Sequence, residues 1–252
     1  MDGVDDLLQS LRGISLETLD ERAALLRRVD RKYVIDHGSL ERVIERLGED
    51  HDVLEIDGER VFGYENVYFD TPELRCFREH VDSIKPRFKA RTRHYADTGV
   101  CVFEVKLKPV GGGTDKRQTD HPADASDALT SEAERLLENA LRDTAIEPPD
   151  ELDPILRTSF RRLTLAAREG DARLTVDLDV RLARMDGRSV RLREDRVLVE
   201  TKSEDGDSPA DHVLAGLSAE AASLSKYRAG IDALLRRDES GDLDRTRELF
   251  GP

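Results

Sequence analysis

Cysteine is scarce in this chain, and so are the patterns of common metal or redox centres. Cys76 and Cys101 are the only two cysteines among 252 residues, which is too few and too widely spaced for a zinc site or a disulfide framework. The six histidines show no His-Glu-x-x-His spacing, which argues against a histidine-rich zinc site. No Ser/His or Cys/His constellation for covalent catalysis stands out. The chemistry is therefore expected to rest on other side chains.

Long apolar runs are also absent, and so is the pattern of a signal peptide. No stretch approaches the roughly 20 apolar residues that span a bilayer. Met1–Arg12 is acidic and then amphipathic, rather than basic and then apolar. The expected compartment is the cytoplasm, without direct insertion into a membrane. The formal net charge of -14 argues against non-specific binding to nucleic acid, so no nucleic-acid partner is expected.

One stretch departs from this acidic background. Arg87, Lys89, Arg91 and Arg93 alternate with other residues, and residues two apart in a strand point to the same face. Neighbouring cations would lie about 6–7 Å apart and would repel by about 2 kcal/mol at an effective dielectric of about 20. Either solvent screens this ladder of charges, or an anion with several charges binds it.

Hydrophobic periodicity and turn residues predict short helices and strands along the whole chain. Helices are predicted at Leu7–Leu11, at Leu16–Leu26, from a cap at Ser39 to Leu47, through Leu74 and Phe77, and at Glu132–Leu141, Pro209–Leu217 and Tyr227–Arg237. Strands are predicted at 28–36, 53–56, 61–69, at the charged ladder around Arg87–Arg93, and at 101–108, 155–165, 173–182, 189–192 and 196–202. A loop is predicted from Gly111 through the polar run that follows.

The short connections favour a largely antiparallel sheet in an α+β arrangement. The connection Pro148–Pro154 is a possible domain boundary. One domain is preferred, because each half has too few strands to enclose a core alone.

Several predicted strands carry charge on one face and apolar residues on the other. In the strand 101–108, one face carries Glu104, Lys106 and Lys108, and the other face carries Val105 and Leu107. In the strand 173–182, the polar face carries Arg173, Thr175, Asp177, Asp179 and Arg181. In the strand 196–202, Glu200 shares a face with Lys202. A half-exposed sheet with a solvated face explains any one strand. A closed antiparallel barrel with a charged lumen and covering helices explains them together. Such a lumen would suit a triphosphate or longer phosphate chain with Mg²⁺ or Mn²⁺.

Eight short motifs follow one another in a recognisable order. They are R-V-D-R-K-Y at Arg28–Tyr33, Y-F-D-T-P-E-L at Tyr68–Leu74, K-A-R-T-R-H-Y at Lys89–Tyr95, F-E-V-K-L-K at Phe103–Lys108, S-F-R-R at Ser159–Arg162, R-L-T-V-D-L-D at Arg173–Asp179, V-E-T-K at Val199–Lys202 and S-K-Y-R-A-G at Ser225–Gly230. Together they resemble the VTC-type (vacuolar transporter chaperone) polyphosphate polymerase domain, within the triphosphate tunnel metalloenzymes. The resemblance implies a tunnel domain at 28–238, between an N-terminal helical segment at 1–27 and a C-terminal tail at 239–252.

The resemblance also implies a site in which cations bind the phosphate chain and a carboxylate holds Mn²⁺ or Mg²⁺. The implied catalytic residues are Lys32, Arg91, Arg93, Lys106, Arg162 and Lys202. The implied phosphate contacts are Lys89, Lys108, Lys116, Arg173, Ser225 and Lys226. Glu200 resembles the metal ligand, with Glu104, Asp177 and Asp179 as additional carboxylates. From the residues alone, Asp177 and Asp179 suit ion pairs with Arg173 and Arg181 equally well.

Two departures from the family pattern bear on the activity. Phe160 stands where the family commonly has a tyrosine, so a phenolic hydroxyl contact is missing. The first strand has Asp30-Arg31-Lys32 in place of the Glu-x-Glu-x-Lys of the related adenylate cyclase and thiamine triphosphatase branch. The second departure favours a polymerase over a hydrolase or a cyclase.

The function that the resemblance implies is metal-dependent transfer of the terminal phosphoryl group of a nucleoside triphosphate to a growing polyphosphate chain. Two alternatives stay open: hydrolysis of a triphosphate or nucleotide at the same site, and non-catalytic binding of polyphosphate or inositol phosphate. The expected partners are a nucleoside triphosphate and polyphosphate. Because no membrane segment is evident, any translocation of the product would need a separate membrane protein.

Overall fold

The computed structural model describes residues 2–22, 29–235 and 246–251. The helices are α1 Asp2–Ser10, α2 Leu16–Arg22, α3 His37–Leu47, α4 Arg75–Val81, α5 Ser131–Asp143, α6 Pro209–Gly216 and α7 Lys226–Leu234. The strands are β1 Gly13–Ile14, β2 Val29–Asp36, β3 His51–Leu54, β4 Phe62–Asp70, β5 Arg87–Tyr95, β6 Cys101–Lys108, β7 Asp115–Asp120, β8 Asp153–Ala167, β9 Arg173–Arg184, β10 Ser189–Leu192, β11 Arg196–Ser203 and β12 Phe250–Gly251. None of the described helices is long and apolar enough to cross a membrane.

The strands form one large, mainly antiparallel sheet, which confirms the α+β class. Its main path runs β12-β10-β9-β8-β4-β5-β6-β7, with β11 pairing with both β2 and β9, and β3 pairing with both β1 and β8. Along this path the described residues form no ladder that joins the last strand to the first, so the predicted closed barrel is not shown. The long strand β9 changes neighbours along its length: it pairs with β11 at Arg173–Asp177 and with β10 at Arg181–Ala183.

The chain divides into two compact units, each with its own core. The first unit contains the described residues of Met1–Phe62, Phe160–Val180 and Leu192–Leu224, and the second those of Gly63–Ser159, Arg181–Arg191 and Ser225–Pro252. The long strands β8 and β9 contribute to both units because each boundary falls within a strand.

In the first unit, α3 and α6 supply apolar residues to the core on one side of β2, β9 and β11. Leu40, Val43 and Ile44 of α3 and Leu214 of α6 are fully buried with Val176 in one cluster. The spacing of these three α3 residues puts them on one helix face. Buried apolar surface contributes about 25 cal/mol per Å², so this cluster stabilises the unit through the apolar side of the sheet. The polar side of the same strands carries the predicted site residues.

In the second unit, α5 supplies the corresponding apolar cover. Leu141 of α5 packs in one cluster with Phe88 of β5, Phe103 and Val105 of β6, and Phe69 of β4. As predicted from the alternation in β5 and β6, their apolar residues are buried under a helix and their charged residues lie on the opposite face.

Three local predictions are corrected. The polar run after Gly113 was expected to be a loop, but it forms β7, which pairs with β6 over Leu107↔Asp115 to Val102↔Asp120. Backbone pairing, rather than an apolar face, holds this strand. Helix α3 is capped by Asp36, whose side chain accepts from the amide of Ser39 at 2.8 Å, rather than by Ser39. The helix predicted through Leu74 begins only at Arg75, after Leu74 in a left-handed conformation.

Some predicted boundaries lie outside the described residues. These are the end of the second helix at Leu26, the strand start at Arg28, the end of the last helix at Arg237, and the domain limits at 27 and 239. The division at these limits stays a prediction.

Candidate functional site

The polar face of the second unit is built by four neighbouring strands. In the β5–β6 ladder Lys89 lies opposite Lys106 and Arg91 opposite Glu104, and in the β6–β7 ladder Lys106 lies opposite Lys116. We call Lys89, Lys106 and Lys116 the lysine row. Adjacent strands are about 4.7–4.9 Å apart, and like charges directly opposite each other destabilise a sheet. The row therefore concentrates positive charge that a bound anion would neutralise.

Arg91 is held in place by a carboxylate and a phenol. Its Nε and Nη2 donate to Oε2 of Glu104 at 2.7 and 2.5 Å, and its Nη1 donates to the hydroxyl of Tyr68 at 3.0 Å. Lys116 Nζ lies 3.3 Å from the other oxygen, Oε1, of Glu104. Burial alone would raise the pKa of Glu104, but Arg91, Arg93 and Lys116 hold this pKa well below its usual range. Glu104 is therefore an ionised counter-charge within a cationic face.

Arg93 is oriented by a buried amide. Its Nε donates to Oδ1 of Asn66 at 3.0 Å, and Nδ2 of Asn66 donates to the hydroxyl of Thr158 at 3.0 Å. Both Asn66 and Thr158 are buried, at 1% and 0% exposure. The guanidinium also lies 5.5 Å from the ring centroid of Tyr64, within the range of a cation–π contact. These contacts fix the direction of the Arg93 side chain.

Lys89 lies between two helices of the same unit. Its Nζ is 2.8 Å from Nδ1 of His80 in α4 and 3.5 Å from the hydroxyl of Ser225. Ser225 is the N-cap of α7, which begins with Lys226. The ammonium also lies 5.7 Å from the ring centroid of Tyr227. The structure therefore brings Lys89 and Ser225, two of the predicted phosphate contacts, together.

The polar face of the first unit centres on Glu200. Its Oε1 lies 3.3 Å from Nζ of Lys32, which is opposite it on β2, and its Oε2 lies 3.2 Å from Nζ of Lys202. The next strand places Arg173 opposite Lys202. Burial lowers the pKa of Lys202 to about 8, while Glu200 opposes this shift. Lys32, Glu200, Lys202 and Arg173 are thus neighbours in this unit.

The other predicted carboxylates of the first unit are engaged by arginines. Arg162 binds Asp177 in a two-point contact, with Nε–Oδ1 2.6 Å and Nη2–Oδ2 2.9 Å. The Arg162 guanidinium lies 5.1 Å from the Phe160 ring. Asp179 pairs with Arg161 at 2.8 Å and is 61% exposed. Both aspartates form ion pairs, but the partners that the structure gives are Arg162 and Arg161 of β8, where Arg173 and Arg181 of their own strand were predicted. The predicted common face of the two aspartates is also corrected, because Asp179 has a φ of 53° and its partner is adjacent in β8 to that of Asp177.

A divalent cation fits Glu200 better than the other predicted carboxylates. Mg²⁺ is usually held by one or two carboxylates together with phosphate oxygens, and Glu200 is a partly exposed carboxylate beside cations that suit phosphate. All three carboxylates have both oxygens next to cationic side chains, but Glu104 and Asp177 are only 1% and 5% exposed whereas Glu200 is 21% exposed. Within the described part of the chain, no three His, Cys, Asp or Glu side chains are grouped to hold a metal by themselves. Metal ligation by Glu104, Asp177 and Asp179 stays a prediction.

Three residues of these faces were missed by sequence reasoning. Tyr68 stands in the Y-F-D-T-P-E-L motif, and Asn66 lies opposite Arg93 in the β4–β5 ladder. An antiparallel register for that pair of strands would have found both. His80 lies on α4 and gives no sequence signal. Lys108 was predicted, and its Nζ donates to the Thr114 hydroxyl at 2.5 Å.

Residues 27–235 match the model of the VTC domain family. No curated protein matches the chain. Among solved structures, a putative adenylate cyclase from Vibrio parahaemolyticus is 14% identical and covers 79% of this chain and 94% of its own, with a TM-score of 0.46. A putative adenylyl cyclase from Hippeastrum, described as having a dominant triphosphatase activity, is 13% identical and covers 83% and 98%, with a TM-score of 0.46. A Pyrococcus horikoshii protein is 14% identical and covers 79% and 96%, with a TM-score of 0.44. The match to the family model extends over most of the sequence, and the chain belongs to the VTC domain family.

Proposed function

We propose that this protein is a metal-dependent phosphotransferase that passes the terminal phosphoryl group of a nucleoside triphosphate to a growing polyphosphate chain. Membership of the VTC domain family supports this function. The order of the eight motifs supports the choice of residues. A membrane protein that receives the product stays a prediction.

The lysine row is the observation that carries the proposal. Lys89, Lys106 and Lys116 lie opposite one another on three adjacent strands in a chain whose formal net charge is -14. Like charges directly opposite one another repel, and Glu104 offsets part of this repulsion through its contact with Lys116. A linear phosphate chain carries charge on every phosphoryl group, so it would contact neighbouring cations of the row together and offset their repulsion.

The remaining side chains suit the chemistry of phosphoryl transfer. This reaction depends mainly on positioning and on charge neutralisation, so no covalent nucleophile is required. Arg91 and Arg93 present guanidinium groups, which match phosphate oxygens geometrically, on side chains that their neighbours already orient. In the first unit, Lys32, Lys202 and Arg162 would supply further positive charge.

A bound Mn²⁺ or Mg²⁺ would neutralise charge on the phosphate oxygens, with Glu200 as its protein ligand. Lys32 and Lys202 orient Glu200 in the free protein, because each contacts one of its oxygens. In the complex the two lysines would be available to phosphate as well. This exchange of partners needs only side-chain movement.

Product analysis tests the proposal. The protein is incubated with ATP and Mn²⁺, and the products are resolved as polyphosphate, orthophosphate or neither. Polyphosphate ladders support a polymerase. Orthophosphate alone would show hydrolysis instead, and the absence of any product with Mn²⁺ or Mg²⁺ would contradict an enzymatic function.

A substitution at Glu200 separates an enzyme from a binding module. Glu200→Gln should abolish turnover while tripolyphosphate binding persists, because the cations remain. Glu138→Gln, at an exposed position of α5, is the matched control and should turn over like the wild type. Unchanged turnover by Glu200→Gln would show that the metal assignment is wrong.

A further inference from the structure

His80 makes a contact that the family motifs do not assign. Its Nδ1 lies 2.8 Å from Nζ of Lys89, a residue of the lysine row. A charged lysine has three N–H donors and no acceptor. The imidazole nitrogen in this contact must therefore accept the hydrogen bond. Neutral His80 then carries its proton on Nε2, because a neutral imidazole has one donor and one acceptor.

The second contact of Lys89 gives the ammonium a defined place. The Ser225 hydroxyl lies 3.5 Å from the same Nζ, and the Tyr227 ring centroid lies 5.7 Å from it. His80 comes from α4 and the other two residues from the start of α7. Lys89 itself comes from β5. The Lys89 ammonium of β5 thus lies between α4 and the start of α7, within one unit.

A buried carboxylate fixes the two helices that make these contacts. Asp70 is fully buried and accepts from the amides of Cys76 at 2.7 Å and Phe77 at 3.0 Å, in the first turn of α4. It also accepts from the hydroxyl of Tyr227 in α7. Helix α4, which carries His80, and the start of α7 are therefore tied to the same side chain. The place of the His80 ring beside Lys89 is consequently built into the packing of this unit.

We propose that His80 is a positioning residue for phosphate binding: it orients the Lys89 ammonium before the substrate arrives. This inference rests on the proposed function, because it assigns His80 a role in binding the same phosphate substrate. A free lysine side chain loses rotamer entropy when it binds a ligand. A lysine whose ammonium is already held by His80 loses less of this entropy when a phosphate oxygen binds it.

The inference gives His80 a role different from that of the lysines. His80 adds no charge when it accepts from Lys89, so it should affect affinity through Lys89 alone. Losing the acceptor should raise the KM for the triphosphate and leave kcat largely unchanged, because the bound lysine still reaches the phosphate. An asparagine at position 80 has its Oδ1 near the place of Nδ1 and should preserve the contact.

The test is a double-mutant cycle on tripolyphosphate affinity, measured by calorimetry on the full chain. His80→Ala should weaken binding by about tenfold, because the lysine side chain must then be ordered when the anion binds, while His80→Asn should bind within about twofold of the wild type. In the Lys89→Ala background, His80→Ala should have no further effect. His212→Ala, at an exposed histidine, is the control and should bind like the wild type.

The possible results distinguish a positioning role of His80 from a structural role and from failure of the proposed function. Wild-type affinity in His80→Ala would overturn the positioning role, and so would an equal loss in the presence and absence of Lys89. A loss shared by His80→Ala and His80→Asn, with a matching fall in thermal stability, would show a merely structural role. If the wild-type protein itself bound no tripolyphosphate, the proposed function would fail before His80 is considered.

Discussion

Glu104 offers the sharpest test of how the cationic face is held together. The carboxylate is 1% exposed and accepts from two nitrogens of Arg91, whose side chain is 14% exposed. Its second oxygen faces Lys116. Glu104→Gln keeps the shape of the side chain and one oxygen acceptor, but it removes the negative charge. The buried Arg91 guanidinium would then face Lys116 without a counter-charge between them.

The expected loss of stability follows from this burial. Breaking a buried ion pair by removing one partner costs about 3–5 kcal/mol, and the retained amide oxygen places the glutamine variant at the lower end, about 3 kcal/mol. For a chain of this size that corresponds to a fall in Tm of about 6–12 °C. Glu200→Gln is the matched control, because Glu200 also contacts two cations but is 21% exposed and its partner Lys32 is 40% exposed. That pair should contribute only about 1 kcal/mol.

The assay is urea unfolding followed by circular dichroism, with and without saturating tripolyphosphate. The anion should stabilise Glu104→Gln at least as strongly as the wild type, since it supplies the negative charge that the substitution removed. A free energy of unfolding within about 0.5 kcal/mol of the wild type would refute the role of Glu104 as counter-charge. It would favour the earlier prediction of Glu104 as a metal ligand instead.

Three further predictions concern a glycine contact and two buried carboxylates. Gly230→Ala should destabilise the protein by about 1–3 kcal/mol in urea unfolding, because the new methyl group would lie 2.4 Å from Cδ2 of the buried Leu156; wild-type stability would contradict this packing. Tyr227→Phe should cost about 1–3 kcal/mol, since the buried Asp70 loses a donor; an unchanged midpoint of urea unfolding would show that this hydrogen bond is not needed. Burial alone would raise the pKa of Asp52, but hydrogen bonds from three arginines hold this pKa below its usual range, so its stabilisation is present above about pH 5 and is lost as the pH falls further. The difference in unfolding free energy between the wild type and Asp52→Asn should therefore shrink between about pH 5 and pH 2, and a difference independent of pH would contradict the assignment.

Alternation along the strands predicted the faces of the sheet well. The residues of β5 and β6 were assigned to the correct faces because the side-chain period of a strand is fixed at two. Burial under α5 then selects the apolar face. The polar strand β7 was missed, because its Asp-Lys-Arg-Gln-Thr-Asp sequence has no apolar face and is held by backbone pairing with β6.

Partners across strands could not be predicted from the same periodicity. Asp177 was expected to pair along its own strand, but Arg162 of β8 binds it, and this contact depends on the register between strands. His80 illustrates the limit more clearly. Its contact with Lys89 depends on where α4 packs, and that position is set by Asp70 through hydrogen bonds that leave no pattern in the sequence. Closure of the sheet likewise depends on pairing between distant strands, which periodicity does not specify.

The central claim is that the cationic faces bind a phosphate chain, and thermal unfolding with tripolyphosphate tests it most directly. At 100 times its dissociation constant, a bound ligand adds about 2.7 kcal/mol of stability, which corresponds to a rise in Tm of about 5–11 °C for a chain of this size. The rise should be much smaller with sulfate at the same ionic strength, and it should shrink when Lys106, at the centre of the lysine row, is replaced by methionine. An unchanged Tm at saturating tripolyphosphate, or an equal rise with sulfate, would contradict the claim.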